Sequence, residues 1–416
     1  MRCELALVVV AFSVISVTAE AQGRVSTPRI QPVEVPGEGT DPAANDIRDA
    51  IAAFGVDAES ATHFIRTIAR HPAAAAGIGP LAAYLRERAM AAVVDQTLLA
   101  LRVAWLARSD AMWAEQVEEA RIFGLRDTDL RRIAEGPEAG WGFWDSTVLR
   151  AADELYRDSF LTDATWAALG QVYNARQIVD VIFTVAEHTM FAMASNSFGV
   201  EPDSHLVARR PTDILRKMEP ARATPRRLGT PRIAPLRVEE RTESERALLD
   251  PNGTGEPAIN LFATLVRFPA LYRSRAIQSA YIRSGSTLSG RVREMIILRI
   301  GWLCGAEYEW AQHAPIARQE GLTDDELRDV AIGPDASGWG PLDAALLRAT
   351  DELYQDDTVS DTTWVTLAES YSERGLIDIV ITVAGYRMVS MVLNSLGVQP
   401  EPGTETFPVL ENVEQG

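Results

Sequence analysis

Apolar residues recur along most of this chain at three- and four-residue spacing, and strict alternation is almost absent, so the pattern predicts helices throughout. The clearest stretch is Arg291–Gly321. Ser289 stands where an N-cap belongs, and Met295, Ile296, Leu298, Trp302 and Leu303 follow with a helical period. Cys304-Gly305 breaks the pattern at a residue that tolerates tight turns, and a second helix runs from about Ala306 to Gly321, which suits the C′ position. Thr323 before Asp324-Asp325-Glu326 and Ser360 before Asp361 read as further caps. The β-branched run Ile377–Val383 resembles a strand in composition, but it continues through Tyr386 to Asn394 without a break and is read as a buried helix. The fold class is all-α.

The text also repeats. Arg70 and Pro72 recur as Arg267 and Pro269; Leu101–Leu106 (L-R-V-A-W-L) as Leu298–Leu303 (L-R-I-G-W-L); and Gly140–Gly142 (G-W-G) as Gly338–Gly340. Asp153–Tyr156 (D-E-L-Y) recurs at Asp351–Tyr354, Trp166 as Trp364, and Asn196–Val200 (N-S-F-G-V) as Asn394–Val398 (N-S-L-G-V). The offset grows by one residue between Gly124 and Gly140, so the second unit holds one more residue there. T-P-R-I at Thr27–Ile30 returns at Thr230–Ile233 with a different spacing. The chain reads as a tandem duplication: a first unit at 22–200, an Arg/Pro-rich linker at 201–229, a second unit at 230–402 and a tail at 403–416, with loose order expected from Gln399 onward.

Antiparallel packing about Cys304-Gly305 sets side by side the positions equally far from the turn. At roughly 1.5 Å per residue, Glu294 and His313 then lie within about 3 Å of the same depth. A carboxylate and an imidazole held level on facing helices form a candidate proton-transfer pair. A neutral imidazole both donates and accepts near neutral pH. Glu294 would orient the ring or act as base if burial raises its pKa.

The order E-x18-H across a tight turn resembles the carboxymuconolactone decarboxylase and alkylhydroperoxidase D superfamily. The peroxidase branch carries C-x-x-C with its second Cys four residues before the His; here those places are Ala306 and Glu309, so the dithiol is missing. The text A-E-Y-E-W-A-Q-H is closer to the decarboxylase-type branch. The resemblance implies two tandem alkylhydroperoxidase D-like helical domains and assembly into a homo-oligomer, a trimer of two-domain chains. It also implies acid/base chemistry, of decarboxylase or isomerase type, on a small carboxylate or lactone without an organic cofactor. Glu294 and His313 match the family's Glu and His. One alternative is peroxide reduction through Cys304; another is a non-catalytic helical assembly or binding protein.

Laying the first unit on the second puts Thr97 at Glu294, Ala107 at Cys304, Met112 at Glu309 and Gln116 at His313, while Arg102, Trp105, Trp113 and Gly124 are kept. The first unit keeps what packs and loses the titratable pair, and is read as structural. Around the second unit's pair, Glu307 and Glu309 flank the site, one expected to point in and one out. Cys304 sits beside it, either reactive or a buried filler. Arg299 would grip a substrate carboxylate or, since the first unit keeps it as Arg102, form a structural ion pair. Tyr386, matched by His188, lines a pocket or packs. Glu309 and His313 at i, i+4 lack an evident third metal ligand, so no metal is expected. His63, His71 and His205 have no companions that suggest a site.

Charge adds one exclusion. At −18, the chain would be repelled by nucleic-acid phosphates. The 47% hydrophobic and 24% charged content is ordinary for a globular protein. Met1–Ala21 reads as a secretory signal ending in Ala19-Glu20-Ala21, which predicts an exported protein, periplasmic or secreted. Its apolar core is too short for a membrane span, and no other run reads as an integral membrane segment. Cys3 would leave with the signal, so Cys304 would have no internal disulfide partner.

Overall fold

The structure is a computed structural model that describes residues 25, 27–35, 41–214, 228–255 and 257–410. The expected signal at 1–21, much of the linker and the last six residues lie outside the described residues. Among the described residues every regular element is helical, and the two halves run through the same order. The first half carries α1 (Pro42–Ala52), α2 (His63–Ile68), α3 (Pro72–Arg88), α4 (Val93–Leu106), α5 (Asp110–Ile122), α6 (Asp127–Glu135), α7 (Phe143–Asp158), α8 (Asp163–Leu169) and α9 (Ala175–Phe198). The second carries α10 (Glu243–Leu249), α11 (Asn260–Leu265), α12 (Pro269–Ala280), which runs into a π-helical turn at Tyr281–Gly285, and α13 (Gly290–Leu303). It continues with α14 (Glu307–Gln319), α15 (Asp324–Ile332), α16 (Pro341–Asp356), α17 (Asp361–Ala368) and α18 (Glu373–Leu396).

The capping expectations hold. The Ser289 hydroxyl accepts from Val292 N, Ser360 from Thr363 N, and Thr323 with Glu326 forms a reciprocal capping box. The extra residue of the second unit falls in the turn between Gly333 and Gly338. On both sides of this length change the same bonds recur: Trp141 donates to Gly136 O, and Trp339 to Gly333 O, each at 3.1 Å.

The long helices α9 and α18 pack against each other at the centre, and both are almost wholly buried. This corrects the reading that no further run is apolar enough for a membrane. Both 24-residue helices pass by length and composition, but 94% of each apolar window is buried inside the fold. A helix apolar all round is the mark of a core helix as much as of a span.

Contacts between the halves are reciprocal. Arg29 donates to Val359 O and Asp361 of the second half; Arg232 donates to Leu161 O and Asp163 of the first. Val359 N donates to Ser197 Oγ, and Leu161 N to Ser395 Oγ. Each arginine also lies 4.8 Å from a tryptophan ring of the other half, Arg29 on Trp364 and Arg232 on Trp166. The same surface meeting its counterpart in this way is the pattern of a two-fold dimer, here within one chain. It explains why both T-P-R-I stretches exist: each carries the arginine that reaches across.

The tail is more ordered than its composition suggests. Phe407 packs edge-on against Trp302 and Trp310, with ring centroids at 4.9 and 5.7 Å. Glu401 accepts from Asn260 N and Gln312, and Arg318 pairs with Glu405. One aromatic anchor and two carboxylate clamps outweigh the prolines through Leu410. The described part of the linker makes ion pairs of both signs with the first half: Arg210 with Asp110, and Asp213 with Arg131.

Candidate functional site

Helices α13 and α14 form the expected antiparallel pair. Cys304 caps α13, and Gly305 adopts φ +62°, a left-handed conformation that favours glycine. The turn is held from α18, where Asn394 Nδ2 donates 2.9 Å to Cys304 O; Asn196 does the same to Ala107 O in the first half. Gly301 lets the helices approach, since a Cβ there would lie 3.2 Å from that of Glu309.

The carboxylate and ring meet as their depth predicts. Glu294 Oε2 lies 2.6 Å from His313 Nδ1, and Arg293 Nε donates 2.9 Å to Glu294 Oε1. Glu294 is 2% exposed. Glu309, also buried, approaches the other ring nitrogen, its Oε2 lying 3.3 Å from Nε2. Tyr386 from α18 meets the imidazole edge-on at 5.0 Å between centroids.

Two carboxylates on one ring fix its charge. Burial alone would lower the His313 pKa, but the hydrogen bonds the ring donates to Glu294 and Glu309 outweigh it and lift the pKa to about 9. The ring is therefore an imidazolium near neutral pH, a proton donor, where a neutral ring was expected. Burial pushes Glu294 upward, yet the His313 and Arg293 bonds prevail and hold it below its ordinary value. The Tyr386 hydroxyl is pushed far up by burial and the two carboxylates, so it stays protonated.

Of the other expected site residues, Glu309 points in and Tyr386 lines the ring. Glu307 opens α14 and is half-buried; two positions from Glu309, it points about 200° away from it around the helix.

Two expectations are corrected. Arg299 is no substrate grip: its Nε and Nη2 fork onto Asp351 at 2.6 and 2.7 Å, and Nη1 donates to Val330 O and Ala331 O. Every donor face is spent on the scaffold, and Arg102 makes the same bonds to Asp153, Ile133 O and Ala134 O. Cys304 is 1% exposed, and burial pushes its thiol above the ordinary value despite Arg387, Ser159 and Ser390 around it. It faces the contact between halves, and a buried, protonated thiol is a poor nucleophile.

Two further residues escaped the sequence reading. Arg275 on α12 is 7% exposed and feels Tyr386 and Glu309; its Nη1 donates 2.6 Å to Ser279 Oγ. Burial holds its pKa below the usual arginine value. The signal was present: the matching first-unit position is Ile78, so a charge stands here where the first unit has a core isoleucine. His71, dismissed as solitary, is buried with Nε2 3.1 Å from Asp378, which also accepts from the Tyr281 hydroxyl. Among the described residues no group of three or more His, Cys, Asp or Glu is arranged to hold a metal ion.

The described elements are all helical, and the Glu/His pair spans the tight turn between two of them, which makes this an all-α protein with a buried carboxylate–imidazole site. Residues 269–352, from α12 into α16, match the carboxymuconolactone decarboxylase family. No curated protein and no solved structure matches the chain.

Proposed function

We propose that the second unit is an enzyme acting by acid/base chemistry on a small carboxylated lactone or keto acid, with decarboxylation as the reaction. The observation that carries this is the 2.6 Å contact between buried Glu294 and His313. In this reading Glu294 holds Nδ1 and keeps the ring charged. Nε2, on the longer 3.3 Å contact to Glu309, is the end free to deliver a proton. Arg275 replaces Arg299 as the cation that holds a substrate carboxylate, and the protonated Tyr386 packs edge-on against the ring.

The bond from carbon to the leaving carboxylate breaks and CO2 departs. The electron pair moves into the substrate's own conjugated carbonyl as an enolate. The His313 imidazolium then protonates carbon from Nε2, becomes neutral with its remaining proton on Nδ1, where it is donated to Glu294, and recovers a proton from solvent at Nε2. A well-placed general acid contributes about 10²–10⁴-fold.

The test is a panel of carboxylated γ-lactones and β-keto acids, followed for CO2 release and for deuterium incorporation in D2O. The wild type should release CO2 and deuterate product carbon, and His313→Gln should lose about 10²-fold or more. Equal rates in both proteins would end this reading.

A further inference from the structure

The first unit holds a cavity of about 220 Å³ where the second holds its Glu/His pair. Thr97, Met112 and Gln116, which replace Glu294, Glu309 and His313, all line it. Its polar groups stand at neighbouring positions: Glu115 and Glu119 on α5, and Glu187 and His188 on α9. In the second unit these places hold Gln312, Ile316, Gly385 and Tyr386. The first unit has thus lost one set of titratable side chains and holds another at neighbouring positions.

Two of the new groups each leave one oxygen without a partner. Glu187 is 2% exposed, and its Oε1 is buried without a hydrogen-bond partner; Glu115 Oε1 is likewise unpartnered. A buried carboxyl oxygen left unpaired keeps its full desolvation cost, so these two oxygens call for a donor from outside the protein. The protein's own cation there does not supply it: Arg86 Nη2 is bound to Phe54 O, Gly55 O and Glu87. His188 Nδ1 lies 2.9 Å from Thr184 O, so Nδ1 carries the proton and Nε2 is a further acceptor. The remaining wall is apolar, with Phe54, Phe64, Leu85 and Phe191 among it. Exposed Val93 and Ser60 stand at its rim.

We propose that this cavity is a second small-molecule site, one that takes an organic amine with a compact apolar body, its ammonium set between Glu187 and Glu115. An ammonium supplies three donors to a lining of acceptors, and its ring or chain covers the aromatic wall. Burial raises both Glu187 and Glu115 to about 8, and burial keeps His188 neutral. An arriving cation therefore drives a proton off a carboxyl. Arg86 from α3 acts on both Glu187 and Glu119, while Thr62 hydrogen-bonds Glu115 and Asp203 acts on it. Once that proton has left, the carboxylate and the neutral His188 Nε2 both accept from the ammonium.

The experiment is calorimetry on the full chain with benzylamine, benzyl alcohol and benzoate, which share a ring and differ in charge. Benzylamine should bind at least tenfold more tightly than the alcohol, with a heat that varies with the buffer's ionisation enthalpy because a proton is released. Glu187→Gln, which matches a protonated carboxyl in shape, should weaken the amine about tenfold or more. Glu115→Gln should act in the same direction, with circular dichroism showing both variants folded. Equal binding of amine and alcohol, no amine binding at millimolar concentration, or unchanged affinity in folded Glu187→Gln would each overturn the site. None of these results depends on turnover at His313.

Discussion

Glu294 Oε2 and His313 Nδ1 lie 2.6 Å apart across the α13–α14 turn, while the matching first-unit positions hold Thr97 and Gln116. The chain therefore keeps one scaffold twice and this ion pair once, which gives each half as an internal control for the other.

The pair makes stability depend on pH in a stated direction. The His313 pKa is raised from 6.5 to about 9 in the folded protein, so between these values the folded state holds a proton that the unfolded chain releases. Its contribution is full below about 6.5 and is lost as pH rises through about 9. Glu294, lowered on folding, contributes above its ordinary value and loses that contribution as pH falls through its folded value. Urea denaturation should show wild-type stability falling from pH 6.5 to 9.5, and His313→Gln should flatten that slope. An equal slope in the variant would refute the assignment.

Arg299 is predicted to act on stability alone. Arg299→Met leaves Asp351 and two buried carbonyls without donors and should cost about 3 kcal/mol in chemical denaturation. Arg102→Met should cost a similar amount in the other half. If substrate KM rises in Arg299→Met while stability holds, the sequence expectation of a substrate grip returns.

Cys304 should be silent in the folded protein. At 1% exposure with a raised pKa, it should resist a thiol reagent in native buffer and react fully in urea. Hydroperoxide should leave it reduced by mass spectrometry. Rapid sulfenate formation in the native state would instead favour the peroxidase alternative.

Arg29 and Arg232 should be nearly interchangeable in effect. Each bonds carbonyls of both halves and one carboxylate across the contact. Alanine at either position should lower stability by about 1–3 kcal/mol, and by similar amounts, since buried carbonyls lose charged donors. Strongly unequal losses would show that the contact is not functionally symmetric.

What the sequence disclosed was governed by local rules. Ser289, Thr323, Ser360 and Gly305 act within a few residues of their own positions, and period alone placed Glu294 level with His313. What it concealed depended on distant partners. The Asp351 that consumes Arg299 stands 52 residues away. The ring's charge depends on Glu309 and Glu294 closing on it together, which spacing does not reveal. Comparing the halves position by position showed what Thr97 and Gln116 had lost, yet it missed Glu115 and Glu187, because polar groups that shift by a few places along helices still face the same cavity. The order of the tail rests on Phe407 meeting Trp302 and Trp310, a contact that its proline content masked.

The most direct test is an NMR titration of the His313 ring. The chain has five histidines, so His313→Gln assigns the resonance by its loss. The wild-type ring should titrate near 9, and Glu294→Gln should pull it down by about one unit or more. A ring that titrates near 6.5 and ignores Glu294→Gln would contradict the proton-donor role and the proposed chemistry.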